Sequence, residues 1–214
     1  MDLYLIRHGA PDYATDSLTE KGKVQAQKLA DYITRFPCDG VYASPMGRAQ
    51  ETASYSAKAL GKEVETLEWL RELCWGDMSG DAYSTSSPWT IADGIVASTK
   101  SYPLDESWKT MAEYSNDRVV EDLENCWKEL DKFLESHGYK REGLLYNAVS
   151  PNDKSIMCFC HGGIISGIAS HLFNVPFCQL ILHMPVHLTS IMKIRLNPGV
   201  GTAKLEFILP SEIY

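Results

Sequence analysis

The chain has 214 residues, 44% of them hydrophobic, enough to bury one full core, and it carries a formal net charge of −8. That acidic balance argues against nucleic acid or an anionic membrane as partner, since either needs a basic surface. No stretch is long and apolar enough to predict a bilayer span. The first nine residues lack the basic leader of a secretory signal and the six cysteines form no regular framework, so the expectation is a cytoplasmic protein with reduced thiols.

The first predicted element is an apolar run containing Leu3, Leu5 and Ile6 that stops at Arg7-His8-Gly9. It reads as a strand of a parallel sheet covered on both faces, with Arg7 and His8 emerging at its carboxyl end, where open α/β sheets bind ligands. A guanidinium offers paired donors to an oxyanion, a neutral imidazole can serve as base, nucleophile or metal ligand, and Gly9 lets the backbone approach closely. A polar loop over 10–17 leads into a helix with Thr19 as N-cap and Ala26, Leu29, Ala30 and Ile33 on one face, ending before Pro37.

Val41, Tyr42 and Ala43 form a short strand, followed at once by Ser44-Pro45 and an alanine-rich helix over 47–60. Arg48 lies in the first turn of that helix, so a guanidinium and unpaired backbone N–H groups sit side by side, and both favour an anion. Ser44 reads as a helix cap. Residues 63–67 alternate like a strand near a sheet edge. Glu72 stands among Leu70, Leu73 and Trp75, surroundings that raise a carboxyl pKa as a general acid requires, unless it is an exposed glutamate paired with Arg71.

Residues 81–115 are irregular and aromatic, with Trp89, Tyr102 and Trp108, and read as a short-helix insertion covering the site, its aromatics forming the insertion's own core. Val119, Leu123, Trp127, Leu130 and Leu134 mark a long amphipathic helix closed by His137-Gly138, so the insertion and its helix span 81–138. After a loop over 139–153 comes a second strand of the first one's design, Ser155 to Cys160, ending at His161-Gly162-Gly163 and leading into a helix to Phe173. Residues 189–196 and 203–209 read as two final strands joined through Asn197-Pro198-Gly199 as an edge hairpin. His171 and His183 read as structural, as does His187, although it could reach the pocket.

Four ordered matches, Arg7-His8-Gly9, Ser44-Pro45 with Arg48, Glu72 with Gly76 and Gly80, and His161-Gly162-Gly163, make the chain resemble the histidine phosphatase (phosphoglycerate mutase-like) superfamily, in its branch of small phosphatases. The resemblance runs from Leu3 to about Ile194. It implies a single α/β domain over 1–214, a three-layer sandwich with a mostly parallel central sheet, helices on both faces and an insertion over the site. It also implies metal-independent hydrolysis of a small-molecule phosphomonoester without a cofactor. His8 would become a phosphohistidine while its other ring nitrogen donates elsewhere, and the adjacent arginines would help keep it deprotonated. Arg7, Arg48 and His161, with Gly9 and Gly162, would line the phosphate, and Glu72 would act as acid and then base. Met78-Ser79 departs from the family, whose members usually carry tryptophan and an acid there.

Two arginines, two histidines and one carboxylate suit a phosphoryl group better than a metal, which calls for several His, Cys or carboxylate ligands. Between Gly76 and Lys109 the basic residues are Lys100 and Lys109 alone, which favours a phosphatase over a phosphoglycerate mutase-type phosphoryl transferase, the second reading. A third, a non-catalytic module that binds a phosphate ligand, is disfavoured by the presence of all five key residues.

Overall fold

The computed structural model describes residues 1–75, 87–114, 117–197 and 203–208. The elements in chain order are β1 (Asp2–Arg7), β2 (Pro11–Asp12), β3 (Ser17–Leu18), α1 (Glu20–Ile33), β4 (Gly40–Ala43), α2 (Gly47–Leu60), β5 (Val64–Thr66), α3 (Pro88–Thr99), α4 (Arg118–Ser136), β6 (Tyr139–Glu142), β7 (Leu145–Ala148), β8 (Ser155–Cys160), α5 (Gly162–Phe173), α6 (Phe177–His183), β9 (Ile191–Leu196) and β10 (Ala203–Ile208), with short 3₁₀ turns at Glu68–Leu70 and Glu106–Thr110. A six-stranded sheet runs in the order β10-β9-β1-β8-β4-β5. The four strands β1, β8, β4 and β5 are parallel, and at the other edge β9 alone is reversed, lying antiparallel to both β1 and β10, so β10 runs with the other four.

Alternation along the central strands builds the layers. Leu3 and Leu5 of β1 and Ile156, Cys158 and Cys160 of β8 join one buried cluster with α3, α4, α5 and α6. Tyr4 and Ile6 of β1 and Met157 and Phe159 of β8 point to the opposite cluster, with Leu29 and Ile33 of α1 and Ala53 and Ala57 of α2. The sheet is therefore covered by helices on both faces, which is why both central strands read as continuous apolar runs.

Most local expectations hold. Thr19 caps α1, its hydroxyl accepting the Gly22 N–H at 3.1 Å, and α1 ends at Ile33, before Pro37 as expected. β5 lies at the sheet edge, as its alternating sequence predicts. His137 ends α4 with its Nδ1 2.8 Å from the Phe133 carbonyl. Two elements differ from expectation. Residues 139–148 form the hairpin β6–β7, turned at Gly143 with φ +61°, where a loop was expected, and the seven-residue α6 was not anticipated. The insertion's aromatics were expected to form a core of their own; instead Trp108, fully buried, packs edge-to-face on Tyr114 at 5.2 Å and against Phe177 of α6 at 5.8 Å, within the main core, while Trp89 faces a cleft. Residues 81–86 and 115 of that insertion, and Gly76, Met78, Ser79 and Gly80, lie outside the described residues.

Candidate active site

Adjacent parallel strands bring the site together. β1, β8 and β4 are neighbours, Arg7 pairs with Cys160 and Ala43 with Phe159, so His8, His161 and Ser44 leave the same end of the sheet side by side. The two imidazole rings lie 5.0 Å apart, close to the spacing of neighbouring strands. α2 begins just beyond β4 and carries Arg48 in its first turn; α5 begins just beyond β8.

His8 is almost completely buried, and its Nδ1 lies 2.7 Å from the Gly9 carbonyl, a bond that places the ring proton on Nδ1 and the lone pair on Nε2. Burial pushes its pKa down from 6.5 to about 3, with Arg48 and Arg7 adding to the fall and the Gly9 bond opposing it. Desolvation, more than the arginines, thus keeps the ring neutral. Arg48 donates from Nε to His8 Nε2 at 3.3 Å and from Nη1 to Asp16, whose other oxygen accepts the Gly47 N–H at 2.7 Å. Tyr13 lies over the Arg48 guanidinium, 5.4 Å from it to the ring centre.

Arg7 donates from Nη1 to the Val186 carbonyl, and its buried Nε has no protein partner. An ideal Cβ built on Gly162 would come 3.4 Å from the Arg7 guanidinium carbon, so Gly162 lies against that group. Gly9 donates its N–H to the Thr52 hydroxyl at 3.1 Å while its carbonyl fixes His8. His161 is fully buried with Nε2 2.8 Å from Ser44 Oγ. Ser44 Oγ accepts the Met46 N–H at 3.2 Å, and its own proton is free to go to His161 Nε2. In that tautomer the buried Nδ1, which has no protein partner, is a donor. Burial holds the His161 pKa well below its ordinary value, with the neighbouring His8 and arginines in support.

Glu72 closes the constellation from the far side. Its carboxylate accepts the N–H groups of Gly163 at 3.3 Å, Ile164 at 3.0 Å and Leu73 at 3.1 Å, which seats it on the N-terminus of α5. Burial raises its pKa; those three bonds and Arg7 pull it back without overcoming the desolvation. Arg7, His8, Arg48 and Glu72 line one cleft of about 690 Å³ together with Tyr13, Asp16, Met46, Trp75 and Trp89.

All five residues singled out from sequence therefore meet at one end of the sheet. His187 does not line this cleft; with His183 it borders a separate one. Glu106 pairs with Lys109 at 2.8 Å on the surface. Sequence reasoning overlooked Asp16, Tyr13 and Thr52. Asp16 adopts φ +48°, within the short loop after Gly9, and no spacing or periodicity marks such a residue.

A sequence model described as the histidine phosphatase superfamily (branch 1) matches residues 3–207. A Schizosaccharomyces pombe protein named a probable phosphatase is 24% identical over 184 residues, 81% of this chain and 74% of its own. A probable phosphoglycerate mutase GpmB of Serratia proteamaculans is 30% identical over 145 residues, 59% of this chain and 63% of its own. Among solved structures, phosphoserine phosphatase of Entamoeba histolytica in complex with 3-phosphoglyceric acid superposes with a TM-score of 0.67 at 20% identity, covering 100% of this chain and 99% of that one.

Proposed function

The chain belongs to the histidine phosphatase superfamily, as a phosphatase, and from that premise we propose that it hydrolyses small phosphomonoesters through a phosphohistidine on His8. The observation that carries this reading is His8 itself: a ring neutral at physiological pH, its Nδ1 proton fixed on the Gly9 carbonyl and its Nε2 lone pair left as nucleophile at the cleft.

In the proposed first step His8 Nε2 attacks phosphorus as the ester P–O bond breaks, and Glu72 gives its proton to the departing oxygen. Arg7, Arg48 and the Nδ1–H of His161 take the three equatorial oxygens, where the charge of a loose phosphoryl transition state resides. Arg48 exchanges its contact with His8 Nε2 for one with phosphate. In the second step water attacks phosphorus, the P–N bond breaks, and Glu72, now a carboxylate, accepts the water's proton. Inorganic phosphate and free His8 result. The raised pKa of Glu72 supports its starting protonated, and the three N–H groups around it support its later life as an anion. No metal or cofactor takes part in this scheme.

The test compares wild type with His8→Ala on p-nitrophenyl phosphate in EDTA, with an alkaline quench to trap phosphoenzyme. Wild type should turn over and carry an acid-labile, alkali-stable phosphoryl group; His8→Ala should show neither. Turnover retained by His8→Ala would end this reading.

A further inference from the structure

We propose that the cleft selects phosphomonoesters whose alcohol carries an uncharged aromatic ring, because its leaving-group side is walled by Trp75 and Trp89 and, among the described lining residues, carries no cation. This deepens the phosphatase reading and rests on it. Among the described lining residues the two cations are Arg7 and Arg48, and both are taken up at the phosphate end, beside His8 and against Asp16. Beyond Glu72, where the alcohol must depart, the wall is aromatic. Trp75 meets Trp89 edge-to-face, 5.9 Å between ring centres and 87° between planes. An ideal Cβ on Gly163 would lie 2.8 Å from Glu72 Oε1 and 3.4 Å from Trp89 Cη2, so the indole edge stands next to the proton donor and hence next to the departing oxygen. Tyr13, 71% exposed, forms the outer rim on the other side.

Charge points the same way. Over the described residues 72–75 and 87–99, which carry Trp75 and Trp89, the sequence contains no Lys, Arg or His, while it contains Asp93. Apart from Glu72 and the two arginines, the charged residue among the described lining is the acidic Asp16. A carboxylate or second phosphate on the alcohol would lose water against indole and find no further cation among the described lining residues, whereas a flat uncharged ring gains the offset or edge contacts that aromatic pairs favour.

The experiment measures kcat/KM for 2-phenylethyl phosphate, ethyl phosphate, O-phosphoserine and 3-phosphoglycerate, all esters of alkyl alcohols, so that leaving-group chemistry is held nearly constant. The phenylethyl ester should exceed the ethyl ester by on the order of tenfold, and both anionic alcohols should fall below ethyl. Trp89→Ala should pull the phenylethyl-to-ethyl ratio toward one, and Trp89→Phe, which keeps a ring and guards against misfolding of the smaller variant, should retain most of it. Faster turnover of phosphoserine or 3-phosphoglycerate than of the phenylethyl ester, or a ratio untouched by Trp89→Ala, overturns the proposal. A protein that cleaves p-nitrophenyl phosphate but not the phenylethyl ester also overturns it. One that cleaves no phosphomonoester instead overturns the phosphatase reading beneath it.

Discussion

In the proposed mechanism one proton on His8 links catalysis to stability. The pKa of His8 falls from 6.5 in the unfolded chain to about 3 in the fold, so between those values the unfolded chain binds a proton that the native ring refuses. Stability contributed by the neutral ring is therefore complete above pH 6.5 and lost as pH falls toward 3. At 1.36 kcal/mol per pH unit, about 2 kcal/mol of it should disappear between pH 7 and pH 5. Glu72, with a raised pKa, contributes in the opposite direction, favouring the fold at low pH; it is present in wild type and in His8→Asn alike and cancels in their comparison. Urea unfolding at the two pH values should show His8→Asn losing about 2 kcal/mol less than wild type. Equal losses would mean that His8 is not held neutral. At this scale the sequence was legible in residue type: an imidazole beside an arginine at a strand end marked a site without choosing its role, which the ordered motifs of the family supplied as an expectation. The Gly9 acceptor could be expected only as some carbonyl. The pairing of Asp16 with Arg48 spans 32 positions and could not be expected at all.

Elements set the geometry that residues alone cannot. Glu72 is seated where it is because α5 offers the N–H groups of Gly163 and Ile164, and a side chain at position 163 would push the carboxylate off that seat: a Cβ would come 2.8 Å from Glu72 Oε1 and 3.2 Å from Leu73 Cδ1. Gly163→Ala should thus behave like Glu72→Gln without touching the acid itself. Both variants should slow 2-phenylethyl phosphate by roughly a hundredfold or more, the range for loss of a general acid. Both should slow p-nitrophenyl phosphate far less, because nitrophenolate departs without a proton. Steady-state rates on the two esters decide it, and parallel slowing of both by Gly163→Ala would detach the glycine from the acid's placement. The long elements were readable because their patterns are strong: α2 matches its expected bounds, and α4 shows its buried stripe from Val119 to Leu134. The β6–β7 hairpin was not, since in β6 only Tyr139 is apolar, and one buried residue before Lys140, Arg141 and Glu142 gives too short a pattern to register as a strand. It is anchored by a side-chain network: Arg141 donates to Asn174 at 2.8 Å and to the Tyr146 hydroxyl at 3.1 Å, and that hydroxyl donates to Asp131. Likewise α6 is too short for a helical period to register.

At the scale of the whole molecule, the sheet order explains why residues as distant as His8 and His161 are neighbours. β8 is inserted between β1 and β4 after the chain has laid down both. Two similar apolar runs ending in histidine and glycine hinted at this adjacency, but which strand lies beside which follows from tertiary packing that no local pattern encodes. Net charge, by contrast, is a whole-molecule quantity written openly in the sequence, and it creates a tension: a chain of charge −8 must draw in a dianionic phosphate. The repulsive far field acts across solvent, where the Debye length is about 30 Å at 0.01 M salt and about 8 Å at 0.15 M. The attraction of Arg7 and Arg48 acts at contact, inside a largely buried cleft, where salt screens it much less. Raising ionic strength over that range, in a buffer free of phosphate and sulfate, should therefore weaken repulsion more than attraction and raise kcat/KM by roughly twofold or more. The gain should appear in KM, with kcat nearly constant, because chemistry takes place after the far field has been crossed. A steady fall of kcat/KM with salt would show instead that the local positive field of the two arginines extends beyond the cleft and governs approach.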